Sequence, residues 1–129
     1  MSPTTFRAQA TGTVGQSQLG NGLVEVELRL ALAGQRLNML NIRIDGRPLD
    51  GGGVEMTSST VTLGTASAPT QYAGHVTGLD GTNIQARVRS VHGPLGLRVR
   101  VQIDPSSSAV TGTVTARPGT TRERPERGA

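Results

Sequence analysis

The sequence contains no cysteine, no lysine and no tryptophan, and Phe6 and Tyr72 are the only aromatic side chains among its 129 residues. The absence of cysteine excludes disulfide scaffolds, cysteine-ligated metal sites and thiol nucleophiles, and it leaves the redox compartment open. With so few aromatics, the core must be built from Val, Leu, Ile, Ala and Met. The length is that of one ordinary domain.

All 13 basic residues are arginines. The sequence also has nine acidic residues, so the net charge is +4. The segment from Arg117 onward holds four of these arginines and two glutamates, so half of the net charge lies there. The body of the chain carries the small remainder, which is not the composition of a polyanion-binding domain. We therefore predict no nucleic-acid partner.

Long apolar runs are also missing. A membrane-spanning helix needs roughly 20 consecutive apolar residues, whereas the best run, 28–33, is short and contains Arg29. The first residues lack the charged-then-apolar order of a signal peptide. We expect no membrane insertion by this chain itself, and either a cytosolic protein or a mature or excised domain.

Apolar and polar residues alternate with a period of two in most of the chain, which predicts strands with one buried face. The alternating segments are 6–14, 24–32, 40–45, 60–63, 72–78, 84–89, 95–103 and 110–116. They predict an all-β fold, an antiparallel β-sandwich or flattened barrel of about eight strands. Residues 1–116 form the single β domain, and 117–129 are expected to be a disordered tail rich in Arg, Pro and Glu.

Turn residues give a trial register for the last four strands. The loops are expected at 79–81, 92–93 and 105–108. The cross-strand pairs that follow are Val76–Ile84, Tyr72–Val88, Val88–Leu97, Arg87–Arg98 and Val99–Val114. Apolar side chains then share one face throughout.

Two further local patterns bear on the strands. Leu37 and Met39 are out of phase with the alternation that follows, which predicts a bulge near Met39. Thr11-Gly-Thr-Val14 recurs as Thr111-Gly-Thr-Val114. We interpret these segments as two similar strands that lie side by side and close a sheet.

Residues suited to catalysis or metal binding are few. His75 and Asp80 with a serine could form a Ser–His–Asp arrangement, but no nucleophile elbow accompanies them. The simpler interpretation is that His75 is a strand residue and His92 a turn residue. The loop from Asp45 to Asp50 lacks the ligand spacing of a calcium loop, and no helical pattern follows the glycines at 51–53 to complete a phosphate site. We predict a protein that is not an enzyme, with no catalytic, cofactor or metal residues.

Arginines on outward strand positions are the strongest candidate for a functional surface. Arg87, Arg89, Arg98 and Arg100 should crowd one solvent face of a hairpin, where like charges destabilise a sheet unless they are neutralised. Glu25 and Glu27 on a neighbouring strand would neutralise them, and so would an anionic partner. An acidic protein or a lipid headgroup suits this face better than nucleic acid, because the face has no aromatic for base stacking.

Several segments resemble a known family. They are Gly46–Leu49, Gly52–Val61, Tyr72–Gly81, Leu97–Asp104 and Val110–Val114. Together they are similar to the soluble C-terminal extracytoplasmic β domain of ferric-reductase-like, cytochrome b-type membrane proteins of high-GC bacteria, over residues 5–116. The resemblance implies a non-catalytic accessory module outside the cytoplasm. The haem-ligating histidines of such proteins lie in membrane helices, so it carries over no site residue.

Two functions follow as expectations. The first is a non-enzymatic binding or accessory module with a protein partner or self-association, and the resemblance implies that it is the extracytoplasmic domain of a membrane redox protein. The alternative is a self-assembling structural protein, such as a virion decoration or tail component, which a Gly- and Thr-rich β body with a polar tail suits. If the resemblance does not hold, a soluble location is expected.

Overall fold

A computed structural model describes residues 5–51, 53–80, 83–91 and 93–118. The strands are β1 (Phe6–Gly20), β2 (Leu23–Leu32), β3 (Met39–Pro48), β4 (Val54–Gly64), β5 (Tyr72–Asp80), β6 (Asn83–Ser90), β7 (Gly93–Ile103) and β8 (Ala109–Pro118). Each strand pairs antiparallel with the next, and β8 pairs with β1, so the sheet closes into an up-and-down barrel. The eight-strand all-β prediction is confirmed, and the barrel is the form found. Within the described ranges, no helix is long and apolar enough to cross a membrane.

The barrel interior is an apolar core. The residues on the inward face of each strand are the apolar members of the alternating pattern, and Leu40, Ile42, Val61, Leu63, Val99 and Val114 are completely buried. None of the buried residues in the described part of the chain is polar or charged. An eight-stranded barrel has an interior just wide enough for side chains to fill.

The two Thr-Gly-Thr-Val segments meet where the barrel closes. Thr11 on β1 lies directly opposite Thr111 on β8, so the prediction that these strands lie side by side is confirmed. A Cβ at Gly12 would overlap the carbonyl oxygen of Arg29, and one at Gly112 would overlap that of Arg100. Both glycines are therefore needed because a neighbouring backbone occupies the space of a side chain.

The register of the last four strands is correct at one hairpin and wrong at two. Val99 lies opposite Val114 as predicted. Val88, however, lies opposite Leu95, and Val76 lies opposite Ala86. Both pairings differ from the prediction by two residues, which leaves every side chain on its predicted face.

The bulge predicted near Met39 is wrong. Met39 continues the alternation on the outer face, and it pairs with Ala31 and Gly64 without a shift. The irregularity lies further along, between Asp45 and Gly46, where β4 has the additional residue. Leu37 is buried although it lies in the loop that joins β2 to β3.

The last strand ends later than the sequence pattern indicates. β8 includes Arg117 and Pro118, which pair with Gly96 and Leu95 of β7. The β domain therefore includes at least two residues beyond the predicted boundary at 116. The rest of the predicted tail, 119–129, lies outside the described residues.

The turn between β7 and β8 is stabilised by a carboxylate. Oδ1 of Asp104 accepts hydrogen bonds from the hydroxyl of Ser106 at 2.8 Å and from its main-chain N–H at 2.9 Å. These bonds favour the charged carboxylate and hold the pKa of Asp104 below its ordinary value.

Replacing Val99 by aspartate should unfold the domain. The side chain is completely buried, and a charge there has no partner, so we expect a loss of at least about 4 kcal/mol in the free energy of unfolding. Val91→Asp is the matched control, because Val91 is 95% exposed. Chemical denaturation of both variants measures the difference, and a parent-like Val99→Asp protein would contradict the inward face assigned here.

Gly112→Ala should destabilise the barrel although it adds a single methyl group. The methyl would overlap backbone atoms of Arg100 and Val101, which cannot move without distorting β7, so we expect a loss of about 2 kcal/mol or more. Gly15→Ala is the control, since a Cβ there meets nothing within 4 Å. Equal thermal stability of the two variants would argue against the close approach of β7 to β8 at Gly112.

Candidate functional site

Barrel closure arranges outward-facing residues of β6, β7, β8 and β1 in rows across the sheet. Gln85, Arg98, Thr115 and Arg7 form one row of directly opposite residues. Arg87, Gly96 and Arg117 form the adjacent row. Arginines from four different strands, distant in sequence, therefore share one patch of the outer surface.

These rows form the walls and floor of a cleft of about 590 Å³, here called the basic cleft. Its lining includes five arginines, Arg7, Arg87, Arg98, Arg100 and Arg117, and four neutral polar side chains, Thr77, Gln85, Thr113 and Thr115. Among the described residues that line it there is no carboxylate. The basic cleft thus groups five guanidinium groups, with hydroxyl and amide groups between them.

Gly96 keeps the floor of the basic cleft open. It lies between Arg87 and Arg117, whose backbones are two strand spacings apart, about 10 Å. A Cβ on Gly96 would lie 3.9 Å from the carbonyl oxygen of Arg117, which is an ordinary contact. Crowding therefore does not require a glycine here, and its absent side chain leaves room for a ligand.

The observed register also relieves the arginine repulsion that the predicted register implied. Arg87 lies opposite Gly96 and Arg98 lies opposite Gln85, so these two arginines are not directly opposite each other. Arg100 is held in place by its neighbour on β6, since its Nε donates to Oδ1 of Asn83 at 3.0 Å. This hydrogen bond leaves the terminal Nη atoms of Arg100 as donors for a ligand.

The other side of the barrel has a balanced charge. Nε of Arg43 lies 2.7 Å from Oε2 of Glu25 and 3.5 Å from Oδ1 of Asp45. Nη2 of Arg29 lies 3.4 Å from Oε1 of Glu27. Because β8 and β1 separate β2 from β7, the expectation that Glu25 and Glu27 neutralise the arginine face was wrong.

Three of the four predicted arginines, Arg87, Arg98 and Arg100, line the basic cleft. The fourth, Arg89, lies on the same strand as Arg87 but opposite Ala73 and Pro94, outside the lining. Sequence reasoning missed Arg7 and Arg117. Arg7 occupies an outward position of β1, so its place could have been inferred by extending the Thr-Gly-Thr-Val pairing back along both strands; Arg117 was assigned to the tail.

The histidine and aspartate candidates lie elsewhere. His75 on β5 contacts the main-chain oxygen of Ser59 through Nδ1 at 2.8 Å, and the hydroxyl of Ser59 accepts from the N–H of Val76 at 2.8 Å. Both bonds join β5 to β4 just beyond the last main-chain pair of these strands. Asp80 ends β5, and His92 lies outside the described residues.

Asp45 belongs to the balanced face and Asp50 to the turn after β3. In the described ranges, no three His, Cys, Asp or Glu residues are grouped so that they could hold a metal ion.

Comparison of the chain with protein-family models, with curated proteins and with solved structures gives no match. The resemblance to the appended domain of ferric-reductase-like proteins therefore stays a prediction.

Proposed function

We propose that the chain is a non-enzymatic binding module that holds an acidic segment of a protein partner in the basic cleft. The observation that carries the proposal is the grouping of five arginines around one cleft that has no carboxylate in its described lining. Guanidinium groups bind carboxylates through paired, charge-assisted hydrogen bonds. Like charges grouped on one face of a sheet are unfavourable, and an anion bound among them relieves their repulsion.

The neutral groups in the basic cleft support an extended peptide as the ligand. Thr77, Thr113, Thr115 and Gln85 alternate with the arginines, and hydroxyl and amide groups can donate to and accept from a peptide main chain. The distance of about 10 Å between the strands of Arg87 and Arg117 suits a single extended chain lying over Gly96. Single-stranded nucleic acid is less suited, because its binding sites combine basic grooves with aromatic stacking platforms, and Phe6 and Tyr72 are not part of this lining.

The family resemblance supplies a context for the proposal. If the chain is an accessory module of a membrane redox protein, its acidic partner would be met on the extracytoplasmic side, and the basic cleft would act as the docking surface. The proposal for the basic cleft does not depend on this context, since it rests on the residues of the barrel alone.

Arg98→Ala with Arg100→Ala should weaken binding of a short polyglutamate peptide at least tenfold. Each charge-assisted hydrogen bond contributes about 1.5–3 kcal/mol, and a factor of ten corresponds to about 1.4 kcal/mol. Isothermal titration calorimetry of the full chain measures the dissociation constant. The wild-type affinity should fall as ionic strength rises.

Two controls separate the basic cleft from net charge. Arg29→Ala with Arg43→Ala removes the same charge from the balanced face and should change the affinity less than twofold. Gly96→Val fills the floor without changing charge, and we expect it to weaken binding as well. If both double variants lost the same affinity for polyglutamate, the effect would be due to net charge and not to the basic cleft. Tighter binding of an oligothymidylate than of polyglutamate would favour a nucleic-acid ligand instead.

A further inference from the structure

The first strand continues beyond the strand that closes the barrel. Thr13 is the last residue of β1 to pair with β8, at Ala109, and the N–H of Val14 donates to the carbonyl oxygen of Ser108 at 3.0 Å. β1 then continues to Gly20, paired on its other side with β2. From Gly15 to Gly20, one edge of β1 therefore has no neighbouring strand in the described part of the chain.

The main-chain groups on this edge can be identified. Successive residues of a strand point their N–H and C=O groups to opposite sides. Val14 points its N–H toward β8, and Gln9 points its C=O toward β2, where it accepts from the N–H of Ala33 at 2.9 Å. Even-numbered residues of β1 thus face the β8 side, and Gln16 and Gln18 present their main-chain groups to solvent there.

The sequence of this edge lacks the usual protection against strand pairing. Natural edge strands carry charged side chains, prolines or bulges that discourage a second strand from adding. Between Arg7 and Glu25 the chain has neither a charged residue nor a proline. The bulge of β1 comes only after Gln18, so Gly15–Gln18 is a regular and uncharged edge.

Gln16-Ser17-Gln18 reads the same in both directions, so it is complementary to itself in an antiparallel pair. We propose that two copies of the chain join along this edge about a two-fold axis beside Ser17. Gln16 of each copy then lies opposite Gln18 of the other, and the two pairs exchange four main-chain hydrogen bonds. Glutamine amides, which both donate and accept, can also bond across the pair.

The other long strand is less suited to this pairing. β4 pairs with β5 only at Val61–Leu63, so Val54–Ser58 also lacks a neighbour on that side in the described ranges. That segment, however, carries the exposed Glu55, and its pairing with β3 is interrupted by the register shift at Asp45 and Gly46. A charge and a bulge are the features that protect an edge, so a second copy is expected on β1 and not on β4. The assembly is then closed at two copies.

Sedimentation velocity on the full chain over a concentration series tests this proposal. The wild-type protein should approach twice its 13.4 kDa mass as concentration rises. Gln16→Pro removes an N–H that points to the open edge, so the barrel keeps its own bonds while pairing is lost. Ser17→Glu places two carboxylates opposite each other, each beside the Glu25 that lies across from Ser17 on β2. Each variant should raise the dimer dissociation constant at least tenfold.

Thr60→Glu is the matched control, because it adds the same charge at an exposed position opposite Arg43, away from the edge, and should dimerise as the wild type does. Cooperative melting of each variant establishes that it folds. If one of the two edge variants does not fold, the dimer dissociation constant of the other tests the proposal. A wild-type protein that stays at 13.4 kDa, edge variants that dimerise normally, or open-ended growth beyond two copies would each overturn the proposal. The Arg98→Ala, Arg100→Ala protein should still dimerise, because its β1 edge is unchanged. This measurement distinguishes failure of the dimer proposal from failure of the proposal for the basic cleft.

Discussion

Main-chain hydrogen bonding between the first and last strands is the constraint on which the rest of the barrel depends. β1 and β8 pair from Phe6 opposite Ala116 to Thr13 opposite Ala109. Without this seam the sheet would have two free edges and an open apolar face. Five of the eight inward residues along the seam are small, namely Ala8, Ala10, Gly12, Gly112 and Ala116, and the other three are Phe6, Val110 and Val114. At Gly12 and Gly112 the backbones of β2 and β7 approach closely, and the leucines and isoleucines of β2 and β3 supply larger side chains to the interior.

Alternation in the sequence is sufficient to predict the strands and their buried faces, but it does not determine which residues are neighbours. A register shifted by two residues places the same side chains on the same faces, so the period-2 pattern is equally satisfied by both registers. This is why Val88 was expected opposite Leu97 and is found opposite Leu95. The hairpin between β7 and β8 was correct, because Asp104 and its serines define the turn chemically.

Only the part of the candidate site that lies on the β6–β7 hairpin could be predicted from the sequence. Arg87, Arg98 and Arg100 lie on consecutive strands, so their shared face follows from local alternation. Arg7 and Arg117 join them only through the seam, and a pairing between the two ends of the chain is not encoded in local periodicity. The same long-range pairing places β8 and β1 between the β7 arginines, Arg98 and Arg100, and the glutamates of β2. Local alternation could therefore identify three of the arginines of the basic cleft, but it could not show that the glutamates of β2 lie too far away to neutralise them.

The packed interior is the reason why the proposed recognition is placed on the outside of this barrel. No polar or charged residue in the described chain is buried, so the inside offers no side-chain hydrogen bond with which to orient a ligand, and specificity requires such groups. The seam supplies them on the outer surface by grouping arginines from distant segments. It also ends before β1 does, because β1 has 15 residues and β8 has 10. The pairing of β1 with β8 thus creates a charged surface along its length and leaves an uncharged, unpaired edge of β1 beyond its end. Side chains define the chemistry of the charged surface, and main-chain groups define that of the edge.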